Sequence, residues 1–158
     1  EEVLFSCAGC YRMFKEEYPQ HVEVPFKVRH ISEYLADKDL DMGKLDRKIT
    51  YHDPCHLGRH SGVYQAPRDV LAKIPGVQFK EMPKTAEESR CCGGGGGVRS
   101  AFPELSEKIA GRRVDQAEFA EVLVTCCPFC VTNLRSGGEK TGSKVEICDL
   151  VELVEPLL

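Results

Sequence analysis

Short apolar runs alternate with stretches of helical periodicity along most of the chain, and that alternation predicts a mostly parallel α/β sheet. Val3-Leu4-Phe5 reads as a buried strand, followed by Cys7-Ala8-Gly9-Cys10 and a helix over Tyr11–Tyr18 that Pro19 stops. Val22–Val28 is the next predicted strand, and Ile31–Leu35 a short helix. Residues 37–47 are charged and weakly patterned, as a linker would be. Lys48–His52 reads as a strand and Asp53-Pro54 as a helix start, with aspartate as N-cap and proline at the first helical position. A helix from near Pro67 would bury Val70, Leu71 and Ile74 and stop at Pro75-Gly76, before a strand over Val77–Met82. Phe102, Leu105, Ile109, Ala110, Val114 and Ala117 share one face at helical spacing. Val122–Thr125 is a strand leading to a helix with Pro128 at its first position; Lys144–Cys148 and Leu150–Leu157 are the last strand and helix.

The pattern also repeats. The run from Val3 to Cys7-x-x-Cys10 matches the run from Leu123 to Cys127-x-x-Cys130, and further on Val28–Leu35 matches Ile147–Val154. The expected organisation is therefore the back end of one unit over residues 1–40, a linker over 41–47, and a second unit over 48–158. A chain so arranged is expected to be a piece of a longer, duplicated protein.

The cysteines sharpen this picture. Nine occur in 158 residues, and Cys55, the adjacent pair Cys91-Cys92 and Cys127-Pro-Phe-Cys130 follow one another at intervals of 35 and 34 residues. Several thiolates spaced like this suit an iron–sulfur cluster, with a zinc site as the alternative. Cys127 and Cys130 fall where a strand turns into a helix, so that free N–H groups and the helix dipole favour thiolate. Cys91 and Cys92 are poorly placed to pair with each other, because a trans peptide directs neighbouring side chains apart. The tract Gly93–Gly97 lacks the Lys-Ser/Thr of a phosphate loop; it reads either as a flexible linker or as close backbone approach to an anionic cluster, through Gly93, Gly94 and Gly95. In His52-Asp-Pro-Cys55-His56-Leu-Gly-Arg59, Cys55 is the isolated ligand, while His52, His56 and Arg59 are candidates to donate hydrogen bonds to it or to contact an anionic substrate. A zinc site would take Cys55, one of Cys91 and Cys92, Cys127 and Cys130, and would leave the glycines unexplained. Cys126 points the other way along its strand, and Cys148 reads as a small buried hydrophobe.

Composition narrows the classes. The net charge of −4, with 21 basic against 25 acidic residues and no basic run, argues against nucleic acid as a partner. No uncharged apolar stretch is long enough to span a bilayer. The odd cysteine count, and the absence of a signal-peptide pattern, favour a reducing cytosol over a secreted disulfide scaffold.

Taken together, Tyr51–Arg59, Cys91–Arg99 and Thr125–Leu134 resemble the cysteine-rich CCG domain of heterodisulfide reductases and their iron–sulfur relatives, closest to the D-type catalytic component. The resemblance covers residues 48–158, with residues 1–40 similar to the tail of a preceding copy. It implies a Rossmann-like CCG domain, with a small mostly parallel sheet flanked by helices. It further implies an oxidoreductase whose noncubane [4Fe-4S] cluster is held by Cys55, Cys91, Cys92, Cys127 and Cys130, while Cys7 and Cys10 serve a second cluster. Such an enzyme would reduce a disulfide or similar small redox substrate. It would be incomplete without its N-terminal half and a ferredoxin-like electron donor, and cytoplasmic or peripheral to a membrane complex through other subunits. An electron-relay module without its own substrate is the alternative. Cys126 departs from the family pattern, in which a small non-cysteine residue is usual.

Overall fold

The computed structural model describes residues 1–158 throughout. Strand β1 (Glu2–Phe5), helix α1 (Ala8–Arg12), strand β2 (Lys27–His30) and helix α2 (Ile31–Ala36) form a first parallel unit. The second unit contains β3 (Lys48–His52), α3 (Gln65–Ala72), β4 (Gln78–Phe79), α4 (Val98–Ala101), α5 (Pro103–Asp115), β5 (Val122–Thr125), α6 (Pro128–Thr141), β6 (Glu146–Asp149) and α7 (Leu150–Val154). Its four strands are parallel throughout, in the order β4-β3-β5-β6. This is the α/β architecture that the alternation predicts. Central β5 is buried at all four positions, which is why Val122-Leu-Val-Thr125 is apolar without alternation. No helix is long and apolar enough to cross a membrane.

The sequence repeat is a structural one. In β1-Cys7-α1-β2-α2, Phe5 pairs with His30; in β5-Cys127-α6-β6-α7, Thr125 pairs with Asp149. His30 and Asp149 then each close a capping box on the following helix, with Glu33 and Glu152 as the reciprocal partners. Ala8 and Tyr11 of the first unit belong to the same apolar core as β3, β5 and β6. Lys73 ties the two together, its ammonium donating to the carbonyls of Ala36 and Lys38 at and beyond the end of α2. Residues 39–47 form neither helix nor strand, yet they are anchored: Met42 is buried, and Gly43 N–H donates to Leu157 O at 2.8 Å.

Four local expectations are corrected. The strand expected over Val22–Val28 begins only at Lys27, and Val22 lies exposed; Pro25, with no N–H to give a ladder, sits in the part that fails. The strand over Val77–Met82 shortens to Gln78–Phe79 at the sheet edge. Asp53 starts no helix, because its carboxylate is turned to Arg68, Thr85 and the Ala86 N–H, and a buried carboxylate gains more from a cation than from a cap. On α5, Phe102 and Leu105 are 62% and 51% exposed, while Ser106 and Arg113 are buried beside Ala110 and Val114. Periodicity weighed apolar residues alone, whereas this face is set partly by polar groups with fixed partners.

Helices α5 and α6 approach closely where small residues meet. A Cβ on Gly137 would stand 2.5 Å from Ala110 Cβ, so only glycine permits this crossing. Cys130 on α6 and the Arg113 side chain on α5 both come to His52, the last residue of β3.

Candidate metal centre

Cys127 is the N-cap of α6, with extended backbone before Pro128. The nearby N–H groups of Phe129 and Cys130 favour its thiolate. Elsewhere His56 N–H meets Cys55, Gly93 N–H lies 3.3 Å from Cys91 Sγ, and Gly94 N–H meets Cys92. In the first unit Cys10 N–H does the same for Cys7.

The thiols then neighbour one another in one series: Cys55 and Cys91, Cys91 and Cys92, Cys92 and Cys130, Cys130 and Cys127, and Cys127 and Cys7. Two thiols of this series are favoured as thiolates. Thiol donation from Cys55 and Cys92 pulls Cys91 down to about 2, and donation from Cys130 and Cys7 does the same for Cys127. The donors respond inversely: Cys7, Cys55 and Cys130 are pushed up, and Cys92 rises to about 12. All nine cysteines are free. Cys126 is buried against the Tyr51 hydroxyl, outside the series, and burial pushes Cys148 up to about 12 in the β6 wall.

A cavity of about 330 Å³ opens over this series, lined by Cys7, Cys55, Cys92, Cys127 and Cys130 with His56, Phe129 and Gly95, Gly96 and Gly97. No carboxylate lines it, which argues against a hard cation. Gly95, Gly96 and Gly97 leave open space where a Cβ would stand. Gly93 and Gly94 pack the other way, against Ile109 of α5 and Asn133 of α6.

The polar residues around the sulfurs divide by placement. His52 is wholly buried, and one ring nitrogen lies within 4.8 Å of Cys92 Sγ and Cys130 Sγ. Arg113 Nε donates to His52 Nδ1 at 3.2 Å. Guanidinium only donates, so Nδ1 accepts and the neutral ring carries its proton on Nε2. Burial, helped by the Arg113 charge, pushes His52 down to about 4, which keeps the ring neutral. Nε2 has no partner among protein atoms. An unsatisfied N–H on a ring that lies beside two cysteines suits donation to a bound group, and with Nδ1 taken by Arg113 the ring is closed to metal ligation. His56 lines the cavity and packs edge-on to His60 at 5.3 Å. Arg59 is away from the cavity and donates to Ser89 O, anchoring the loop that ends in Cys91-Cys92. Cys10 is exposed and does not line the cavity.

Three contributors went unnoticed in the sequence. Asn133 Nδ2 donates to Cys92 O at 2.7 Å, while its Oδ1 accepts from Arg99 and Ser106 at 2.8 and 2.9 Å. It lies one turn after Cys130 on the same face of α6, a spacing that could have revealed it. Arg113 and Ser106 had no such signal, lying on a helix without a cysteine.

Residues 49–135 match the family described as CCG, a cysteine-rich domain. The chain belongs to the cysteine-rich CCG domain family. Among curated proteins it is 44% identical over 167 residues to the D subunit of the dihydromethanophenazine:CoB–CoM heterodisulfide reductase of Methanosarcina mazei, covering 100% of this chain and 41% of that protein. It is 38% identical to the B subunit of the fumarate reductase (CoM/CoB) of Methanothermobacter marburgensis, covering 98% and 32%. It is 35% identical to the EtfAB:quinone oxidoreductase of Syntrophomonas wolfei, covering 98% and 24%. The CCG chain thus spans at most about two fifths of the length of these relatives.

The donor set fits an iron–sulfur cluster on structural grounds. Soft thiolates, backbone N–H groups on their sulfurs, an orphaned buried N–H beside them and a glycine-walled cavity are what such a group requires.

Proposed function

We propose that this CCG chain is the cluster-binding part of an iron–sulfur oxidoreductase that opens a disulfide or similar small redox substrate at a noncubane [4Fe-4S] cluster. Cys55, Cys91, Cys92, Cys127 and Cys130 would hold the cluster, with Cys7 at the rim of the same cavity. Five thiols facing a cavity without carboxylates, with Cys91 next to them behind Cys92, carry the reading. A bound cluster supplies single electrons and an iron able to exchange ligands with a substrate sulfur.

The chain's own residues do the rest. Asn133 and Arg59 hold the Cys91-Cys92 loop from both ends through Cys92 O and Ser89 O. The His52 ring lies beside the Cys92 and Cys130 sulfurs with Nε2–H free to donate to the bound group, and Arg113 keeps that proton in place. Phe129 forms an apolar side of the cavity that limits water, while His56 stands at its wall as a polar group able to meet a substrate. Electron supply from a ferredoxin-like partner, a further portion of the protein and a reducing compartment belong to the same reading. The names of the relatives, which are reductase subunits and an oxidoreductase, support it.

Anaerobic reconstitution with iron and sulfide tests this directly. The expected result is about four irons and four sulfides per chain, lost in Cys91→Ser and Cys92→Ser, with an EPR signal that changes on adding a thiol. A colourless protein holding stoichiometric zinc that iron cannot replace would overturn it. A cluster indifferent to thiols would leave electron relay as the function.

A further inference from the structure

Behind the Cys91-Cys92 loop lies a second, smaller cavity of about 150 Å³, lined by Arg90, Cys91, Ile109, Arg112, Arg113 and Gln116. Three arginines therefore line one small space with no carboxylate among them. Neither Arg90 nor Arg112 makes an ion pair or hydrogen bond with another residue, although arginines elsewhere in the chain, such as Arg47, Arg68 and Arg135, are paired to acids. Arg113 is 1% exposed and spends its other nitrogens on His52 Nδ1, Pro83 O and Gln116 Oε1, while Nη2 has no partner.

The C-terminal turn of α5 favours basic residues through the helix dipole. That accounts for Arg112 on the surface. It does not account for a buried guanidinium with an unused donor, nor for Arg90, which comes from a different segment. Arg90 and Arg112 are exposed and in water, so the cost falls on Arg113, whose buried donor is left unsatisfied beside like charges. Burial, and behind it the Arg90 charge, bring Arg113 down to about 10 against the counter-pull of Asp53, so it remains cationic near neutrality. One ligand class would satisfy the unused donor and pair with the unpaired charges: a planar or tetrahedral oxyanion, whose oxygens match the guanidinium fork.

We propose that this cavity binds a small oxyanion, a carboxylate or phosphate group, held by Arg90, Arg112 and Arg113 against the outer side of Cys91. The anion can be free in solution or the charged end of a redox substrate. Binding itself is independent of the cluster reading, and only its electrical effect rests on it. A bound anion beside Cys91 opposes the added negative charge of a reduced centre, so it lowers the centre's midpoint potential.

The test titrates inorganic phosphate and propionate, by calorimetry, into the chain in its metal-free reduced form and after reconstitution. Saturable binding is expected at about millimolar concentration, weakened about tenfold in Arg112→Ala and in Arg90→Ala, and unchanged in Lys140→Ala on α6. Both test arginines are exposed and unpaired, so their removal leaves the packing alone. In the reconstituted chain, saturating phosphate lowers the midpoint potential of the wild type and not of Arg112→Ala. If 3-mercaptopropionate binds more tightly than propionate only when the centre is loaded, the anion is substrate-borne; equal affinities make it a free ion. Absence of saturable binding, or binding indifferent to both arginines, overturns the proposal. Phosphate binding that depends on Arg112 in a chain that takes up no iron would keep this site and defeat the cluster reading instead.

Discussion

Arg113 Nε stands 3.2 Å from His52 Nδ1, and this contact decides which nitrogen bears the proton of a ring that lies beside Cys92 and Cys130. Because the donor is a guanidinium, the alternative tautomer would set two N–H groups against each other. The unpartnered nitrogen Nε2 is therefore a hydrogen-bond donor.

Donation to sulfur stabilises the more negative state of a cluster. His52→Leu in the reconstituted chain should keep its iron and shift the midpoint potential down by about 50 mV, one hydrogen bond's worth for a single electron. EPR-monitored redox titration reads the shift. A potential equal to wild type would show that Nε2–H does not reach the sulfurs.

Asp53 and Arg68 form a two-pronged pair at 2.9 and 3.0 Å, with Asp53 buried. Asp53→Ala leaves a mostly buried guanidinium with Glu81 alone and should destabilise the chain by about 3–5 kcal/mol. Glu81 is 37% exposed, so Glu81→Ala should cost no more than about 1 kcal/mol. Urea unfolding of the two variants checks the ranking, and equal losses would contradict it.

Gly137 and Gly95 should respond oppositely to alanine. Gly137→Ala forces α5 and α6 apart and should lower stability by about 1–3 kcal/mol or more. Gly95 meets nothing within 4 Å and has ordinary backbone angles, so Gly95→Ala should leave thermal unfolding unchanged while its methyl enters the cavity and reduces iron uptake. Circular dichroism and iron analysis on both variants separate the two effects.

Asp149 gives the chain a pH dependence of readable sign. Burial raises its carboxyl to about 6, and Oδ2 has no partner, while Oδ1 caps α7 through Val151 N–H. The fold therefore favours the protonated acid. Its stabilising contribution is full below the ordinary carboxylate value near 3.8 and is lost as pH rises through about 6. Asp149→Asn keeps the cap acceptor and removes the charge. It should be more stable than wild type by about 1–2 kcal/mol at pH 7.5, allowing for solvent screening, with the difference vanishing near pH 4. A constant difference across that range would refute the assignment.

Much of this was readable along the chain. Strands β3, β5 and β6 and helices α3, α6 and α7 follow from runs such as Val122-Leu-Val-Thr125, whose lack of alternation suits burial on both faces, and from Pro128 at a first helical turn. The runs from Val3 to Cys10 and from Leu123 to Cys130 repeat in sequence, and the helices that follow them carry matching capping boxes at His30 and Asp149. Where local reading failed, as at Asp53 and at Phe102 and Leu105, a partner distant in sequence had the stronger claim: Arg68 for the carboxylate, His52 for the face of α5 that carries Arg113.

Residue type and interval suffice for the parallel α/β class, the spacing of the thiols and the family, because each is a property of order along the chain. Three-dimensional packing was needed to place Cys7 in contact with Cys127, to turn Gly95, Gly96 and Gly97 rather than Gly93 and Gly94 to the cavity, and to set Arg113 behind His52. Those relations join segments tens of residues apart. They exist only once α5 and α6 close through Gly137 and the first unit shares its core with the second, and no local pattern encodes which distant groups that packing brings within hydrogen-bond reach.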